Sequence, residues 1–224
     1  MWKELRGEKL MIKRTIKNET IFKIKDEDTQ TTFYGCDQEW YPTSWQRRAG
    51  CGPTAVTNII YYLKTRSSSG FSDHLWLKSG ALSLMEEIYQ FVKPTLRGIP
   101  STELLYEDVR NYAEAMAQEI KLEVFNISKS RSSRPQFQDL LIFLDKALAN
   151  DTPVAFLNLD NGEEKRLDSW HWVTVISLEY SADGSRALLR ILDGGHIKQI
   201  DLVQWFLTTK LGGGFVSFDY VHQQ

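Results

Sequence analysis

Cysteine is scarce: Cys36 and Cys51 are the only two in 224 residues. That excludes a disulfide framework. No C-x-x-C and no H-E-x-x-H occurs, which argues against a structural zinc site, and no metal or cofactor is expected. Long apolar runs are also missing. None approaches the ~18 residues that a membrane span needs. Charge of one sign is not in excess either: the net charge is -2, so no global attraction to nucleic acid or to an anionic membrane is expected. The basic stretch Arg131-Ser132-Ser133-Arg134 is short and reads as a solvated loop. Residues Met1 to Leu10 are charged and lack an apolar core followed by small residues. No secretory signal is expected, and the expected location is the cytoplasm. There is no internal repeat and no low-complexity segment.

What is present is ordinary for a globular chain. Hydrophobic residues make up 42% and charged residues 25%, enough for one domain with a sizeable core and no staples. The expected division is an N-terminal extension or hairpin over 1–35 and a main domain over 36–224. Two short alternating runs, Met11 to Lys17 and Thr20 to Lys25, flank Asn18-Glu19 and suggest that hairpin. Residues 26–50 are polar and irregular, with Pro42 and Gly50 as breakers.

A helix is expected to start at Cys51. Pro53 suits its first turn, where a missing N–H costs nothing, and Ala55, Val56, Ile59, Ile60, Tyr62 and Leu63 give it a broad apolar face. Residues 65–80 read as a loop. Further helices are expected over about 82–93, 101–120 and 136–150, the second capped by Ser101 or Thr102. Lys121 to Ile127 reads as a strand between the last two. After Pro153 the pattern turns to strands: Val154 to Leu159, His171 to Tyr180, Ala187 to Leu192 and Gly214 to Val221. Asn161-Gly162 and Asp183-Gly184 mark turns, and a short helix is expected over 201–209. Helices fill the first two-thirds and antiparallel strands the last third, which argues for an α+β fold.

Cys51 is the sharpest chemical feature. It sits in Ala49-Gly50-Cys51-Gly52-Pro53-Thr54, at an expected helix N-terminus, where free N–H groups and the helix dipole favour negative charge. That suits a thiolate nucleophile. The flanking glycines would let a substrate approach the backbone closely. The competing reading is a buried structural cysteine.

A nucleophilic cysteine needs a base, and four histidines compete. His74 lies in a polar loop, His222 at the C-terminus, and His196 just after Asp193-Gly194-Gly195. His171 opens the most convincing strand, and a rigid sheet holds a base well. It is the preferred base, although a core histidine would look the same alone. Asp193 ends the strand expected to pair with that of His171 and is the candidate to orient the imidazole. Its competing role is to start a Gly-rich turn. Asp168, in the preceding loop, ranks second. An oxyanion hole could combine the Cys51 N–H with a side-chain amide, Gln46 first and Gln38 as the fallback. Trp45, Trp170, Trp172 and Trp205 could line a cleft, though aromatics more often build the core.

These residues resemble a known family. Gln46 with Gly50-Cys51-Gly52-Pro53-Thr54-Ala55, then Pro153-Val154-Ala155-Phe156, then His171-Trp172-Val173-Thr174-Val175, then Leu192-Asp193-Gly194-Gly195 look like the bacteriocin-leader peptidase-like branch of the papain-like superfamily. The match runs in order over roughly residues 40–210. Gln46 stands one residue closer to the cysteine than is usual there, and the usual D-P is here Asp193-Gly194. The C-G-S-C-W signature of papain itself is absent. The resemblance implies a papain-like cysteine protease fold, with hydrolysis of a peptide or amide bond by a Cys51, His171 and Asp193 triad assisted by Gln46. Two alternatives stay open: acyl transfer on the same triad with an amine replacing water, and a peptide-binding module that kept the fold without turnover.

Overall fold

The chain is described here by a computed structural model that defines residues 10–66 and 76–221. Its centre is a helix buried on every face from residue 51 to residue 60. Val56, Ile59, Ile60, Tyr62 and Leu63 are at most 1% exposed, and a helix so coated must be enclosed on all sides. In chain order the first elements are β1 (Met11–Thr15), β2 (Lys23–Lys25), β3 (Thr32–Tyr34), the short helix α1 (Ser44–Ala49) and this central helix, α2 (Cys51–Arg66). Next come β4 (Trp76–Leu77), α3 (Lys78–Tyr89), α4 (Thr102–Ala115), β5 (Ile120–Ile127) and α5 (Phe137–Ala149). The last third holds β6 (Val154–Asn158), β7 (His171–Ser181), β8 (Ala187–Asp193), β9 (His196–Asp201), α6 (Leu202–Thr208) and β10 (Gly213–Tyr220).

Six of these strands form one antiparallel path in the order β5, β10, β6, β7, β8, β9. β6 pairs with the first half of β7, residues 171–175. β1 takes over along the second half, residues 177–181, beyond a bulge between Val175 and Ser177. α2 packs on β7 and β6. Phe156, Trp205 and Phe215 lock the sheet to α6, with the Trp205 ring edge-on to Phe156 at 4.7 Å.

The expected hairpin over 11–25 is not formed. β1 joins the main sheet against β7, whereas β2 pairs with β3 and β4 in a separate three-stranded sheet. Asn18 caps a 3₁₀ turn over Glu19–Phe22 between them. Residues 20–22 of the second run fall in that turn, β2 finds its antiparallel partner nearby in β3, and the partner of β1 lies far along the chain. α1, β3, β4 and β9 are elements that the pattern reading did not contain. The expected loop over 65–80 ends in β4 and the start of α3, and its middle lies outside the described residues. No helix among the described residues is long and apolar enough to cross a membrane.

Candidate active site

Cys51 opens α2 at the point where α1 has just ended, with Gly50 as the hinge residue. Both glycines beside it answer to packing. A Cβ on Gly50 would meet Gln46 O at 2.4 Å and the Tyr41 ring at 2.6 Å, and one on Gly52 would meet Ile99 Cδ1 at 2.7 Å. Their lack of a side chain lets two walls close on the cysteine turn. One wall is held by Trp172, whose Nε1 donates to Ile99 O at 2.8 Å.

His171 is the first residue of β7, opposite Asn158 at the end of β6. Asn158 is fully buried, and its Nδ2 donates to Asp168 O at 2.7 Å while its Oδ1 accepts from Trp205 Nε1 at 2.7 Å. The loop leading into His171 is therefore fixed from inside the core. Asp193 closes β8. The register pairs Thr174 with Leu192, so the next step sets Asp193 opposite Val173, on the sheet face of His171 two residues away. Diagonal neighbours on one face are within reach of each other's side chains. The turn that follows, Gly194-Gly195, has φ of +56° and +73°. Two positive φ values in a two-residue hairpin loop suit glycine, and Asp193 pairs directly with His196 across it.

The side chains converge as follows. His171 Nε2 lies 2.7 Å from Asp193 Oδ1, and Cys51 lines the same cleft as the ring. Since Nε2 is taken by Asp193, Nδ1 is left for the thiol side. The second oxygen of Asp193 accepts from Lys198 Nζ at 2.6 Å. Cys51 and Asp193 are each 8% exposed. Burial alone would push the imidazole of His171 down, but the Asp193 carboxylate and the Cys51 sulfur outweigh it and carry it up from 6.5 to about 10. Burial likewise would raise Asp193, and the bonds from His171 and Lys198 instead lower it from 3.8 to about 2. The two shifts describe one interaction seen from its two ends.

All three groups line a cleft of about 260 Å³, together with Asp37, Gln38, Glu39, Asp168 and Lys198. Asp168 is exposed at its rim, and it is Asp193 that bonds the imidazole. Asp168, His171 and Asp193 each offer a ligand atom within 4.8 Å of the others. Both Asp193 oxygens and one His171 nitrogen are in hydrogen bonds with protein side chains.

Gln46 is the expected site residue that the structure does not bring to the cleft. Its Oε1 accepts from Thr43 N at 3.2 Å and Thr43 Oγ1 at 2.8 Å, and its backbone N donates to Thr43 Oγ1, which is a capping box on α1. Gln38 lines the cleft instead, with Nε2 donating to Arg47 O at 2.8 Å. An amide nitrogen has a second hydrogen to give. Of the other histidines, His196 is exposed at the start of β9, and His74 and His222 lie outside the described residues. Trp172 and Trp205 are buried, while Trp45 and Trp170 are 38% and 52% exposed. Lys198 was not singled out from sequence, because the strand that carries it was not.

Cys36 also lines the cleft, but its thiol is buried, and desolvation with the neighbouring Asp37 carboxylate pushes it well up. Both cysteines are free thiols.

No protein-family model matches the chain, and no curated protein matches it in sequence. Among solved structures it is similar to UfSP from C. elegans, with a TM-score of 0.54 and 11% identity over 98% of this chain and 36% of that one. The chain thus spans about a third of that structure's length. At this identity the likeness speaks to the fold, and the fold is an α+β, papain-like one, with helices packed on an antiparallel sheet.

Proposed function

We propose that the protein is a papain-like cysteine hydrolase that cleaves a peptide or amide bond through an acyl-thioester on Cys51. One observation carries the reading: a cysteine at a helix start, a histidine at a strand start and an aspartate at a strand end meet in one cleft, with His171 bonded to Asp193 at 2.7 Å. In this reading the Cys51 thiolate attacks the carbonyl and His171 gives its proton to the leaving amine. The imidazole then takes a proton from water as the water attacks the thioester, and the thiolate is restored. Asp193 holds the ring and stabilises the imidazolium. Gln38, from within the cleft, and the Cys51 N–H are the proposed oxyanion donors. The order of the cysteine turn, the Pro153-Val154 strand, the His171 strand and the Asp193 strand supports the leader peptidase-like branch of the superfamily.

The test needs no substrate. Iodoacetamide at neutral pH, followed by mass spectrometry of the digest, should label Cys51 well before Cys36, whose thiol is buried and pushed well up. His171→Ala should remove the difference. Equal or slower labelling of Cys51 in the native protein would sink the hydrolase reading.

A further inference from the structure

Three strands in a row contribute to one line of contacts. His171 on β7 bonds Asp193 on β8 at 2.7 Å, and Asp193 bonds Lys198 on β9 at 2.6 Å. The register explains why. Asp193 pairs with His196, so Lys198, two residues on, lies on the same face and diagonal to Asp193, as Asp193 lies diagonal to His171. The two oxygens of one buried carboxylate are thereby divided between an imidazole and an ammonium group. A carboxylate with only one partner could swing about its terminal torsion, which is broad and soft. With both oxygens held, that rotation is closed.

The charges around the pair make the ammonium matter further. The charged and titratable groups that line the cleft are Asp37 and Glu39 from the turn before α1, Asp168 from the loop before β7, Asp193 from β8, Cys36, Cys51 from α2, His171 and Lys198. Among the described residues lining it, Lys198 is the only lysine or arginine. Four carboxylates in a partly closed cleft oppose a thiolate. Lys198 is the fixed positive charge that offsets them.

We propose that Lys198 is a positioning residue of the Cys51 site: it locks the Asp193 carboxylate onto His171 and extends the pH range over which Cys51 is nucleophilic. The proposal rests on the hydrolase reading above but is tested separately from it. Taking away a positive charge makes every neighbouring proton harder to lose. Loosening Asp193 weakens the imidazolium on which the thiolate depends. Both effects move the acid limb of Cys51 reactivity to higher pH. Across one cleft, with the screening that a 38% exposed ammonium side chain receives, the expected shift is roughly half to one pH unit, about a three- to tenfold loss of rate on that limb.

The experiment is the rate of Cys51 alkylation by iodoacetamide from acid to neutral pH, in the wild type, Lys198→Met and Lys198→Arg, with thermal melts to confirm folding. The methionine variant should show the midpoint moved upward, and the arginine variant should restore it. Lys198→Gln, which keeps a hydrogen-bond donor without the charge, takes the place of methionine if that variant fails to fold, with the same direction expected. An unmoved midpoint overturns the proposal. So does a rate lowered by one factor at every pH, or an arginine variant that does not recover, since either is what a merely structural role would give. If wild-type Cys51 reacts no faster than Cys36, the hydrolase reading itself has failed, a result distinct from all of these.

Discussion

The two glutamines near Cys51 have opposite expected effects, and the difference can be sized. In Gln38→Ala the cleft loses one amide donor. Of the two hydrogens on Gln38 Nε2, one goes to Arg47 O at 2.8 Å, so a single donor is left for a developing oxyanion. One such donor is worth roughly 10²–10³ in rate, and with the Cys51 N–H still present the lower end is expected, ~10². In Gln46→Ala the cleft loses nothing and α1 loses half of its capping box. That costs about 0.5–1 kcal/mol of stability, or a fall in Tm of about 1–4 °C for a chain this long. The assay is a pair of reactions at Cys51. Acylation by p-nitrophenyl acetate passes through a tetrahedral oxyanion, whereas alkylation by iodoacetamide does not. Gln38→Ala should therefore slow acylation about a hundredfold and leave alkylation near the wild-type rate, and Gln46→Ala should leave both unchanged and lower Tm. Two results would refute the reasoning: equal slowing of both reactions in Gln38→Ala, which would mean Gln38 acts on the thiol, or slowed acylation in Gln46→Ala.

Asp193→Ala should be milder in turnover than His171→Ala, because a Cys-His pair retains some ionisation without its orienting acid; an Asp193 variant as inactive as the His171 variant would contradict this. The same substitution has a signed pH dependence. Because Asp193 is lowered from 3.8 to about 2, its stabilising contribution is fully present above about 4 and is lost as pH falls towards 2. Asp193→Ala should then cost about 2 kcal/mol in urea unfolding at neutral pH, with the gap to wild type narrowing in that acid window; a gap constant with pH would refute the linkage. Asn58→Leu should cost about 2–4 kcal/mol by equilibrium unfolding, since it strips partners from the buried Cys36 N and Thr174 Oγ1. A loss under 1 kcal/mol would show that those groups find other partners.

The sequence made the cysteine turn readable because its cues are local: glycine, cysteine, proline and an apolar period of 3.6 all fall within a dozen residues. The long helices and the strands after Pro153 were readable for the same reason. Which glutamine enters the cleft was harder, since Gln38 and Gln46 both precede Cys51 at short range. The signal was nonetheless there, as Thr43-Ser44-Trp45-Gln46 is a capping-box pattern that commits Gln46 to its own helix. The pairing of β1 with residues 177–181 could not be read from alternation, which gives a strand its faces but not its partner. Asn58 was hidden by its setting, a polar residue among the apolar ones of a buried helix, whose role appears only when Cys36 and Thr174 are brought to it. β9 was passed over, and Lys198 with it, because His196-Ile197-Lys198-Gln199-Ile200 has no strict alternation and sits one two-residue turn beyond Asp193.

The diagonal run from His171 through Asp193 to Lys198 makes the site a matter of parity. In a pleated sheet each residue faces opposite to the next, so the line survives only while the counts between its members keep their odd or even character. Two residues, Gly194 and Gly195, separate β8 from β9. One residue more in that turn, with the strand pairing slipping to match, would carry Lys198 to the far face of β9 and leave Asp193 and His171 where they are. The same slip would turn Ile200, fully buried in the main core, to the far face as well. The two-residue length of that turn thus ties the Lys198–Asp193 contact to the packing of Ile200, so that neither can be turned away without the other.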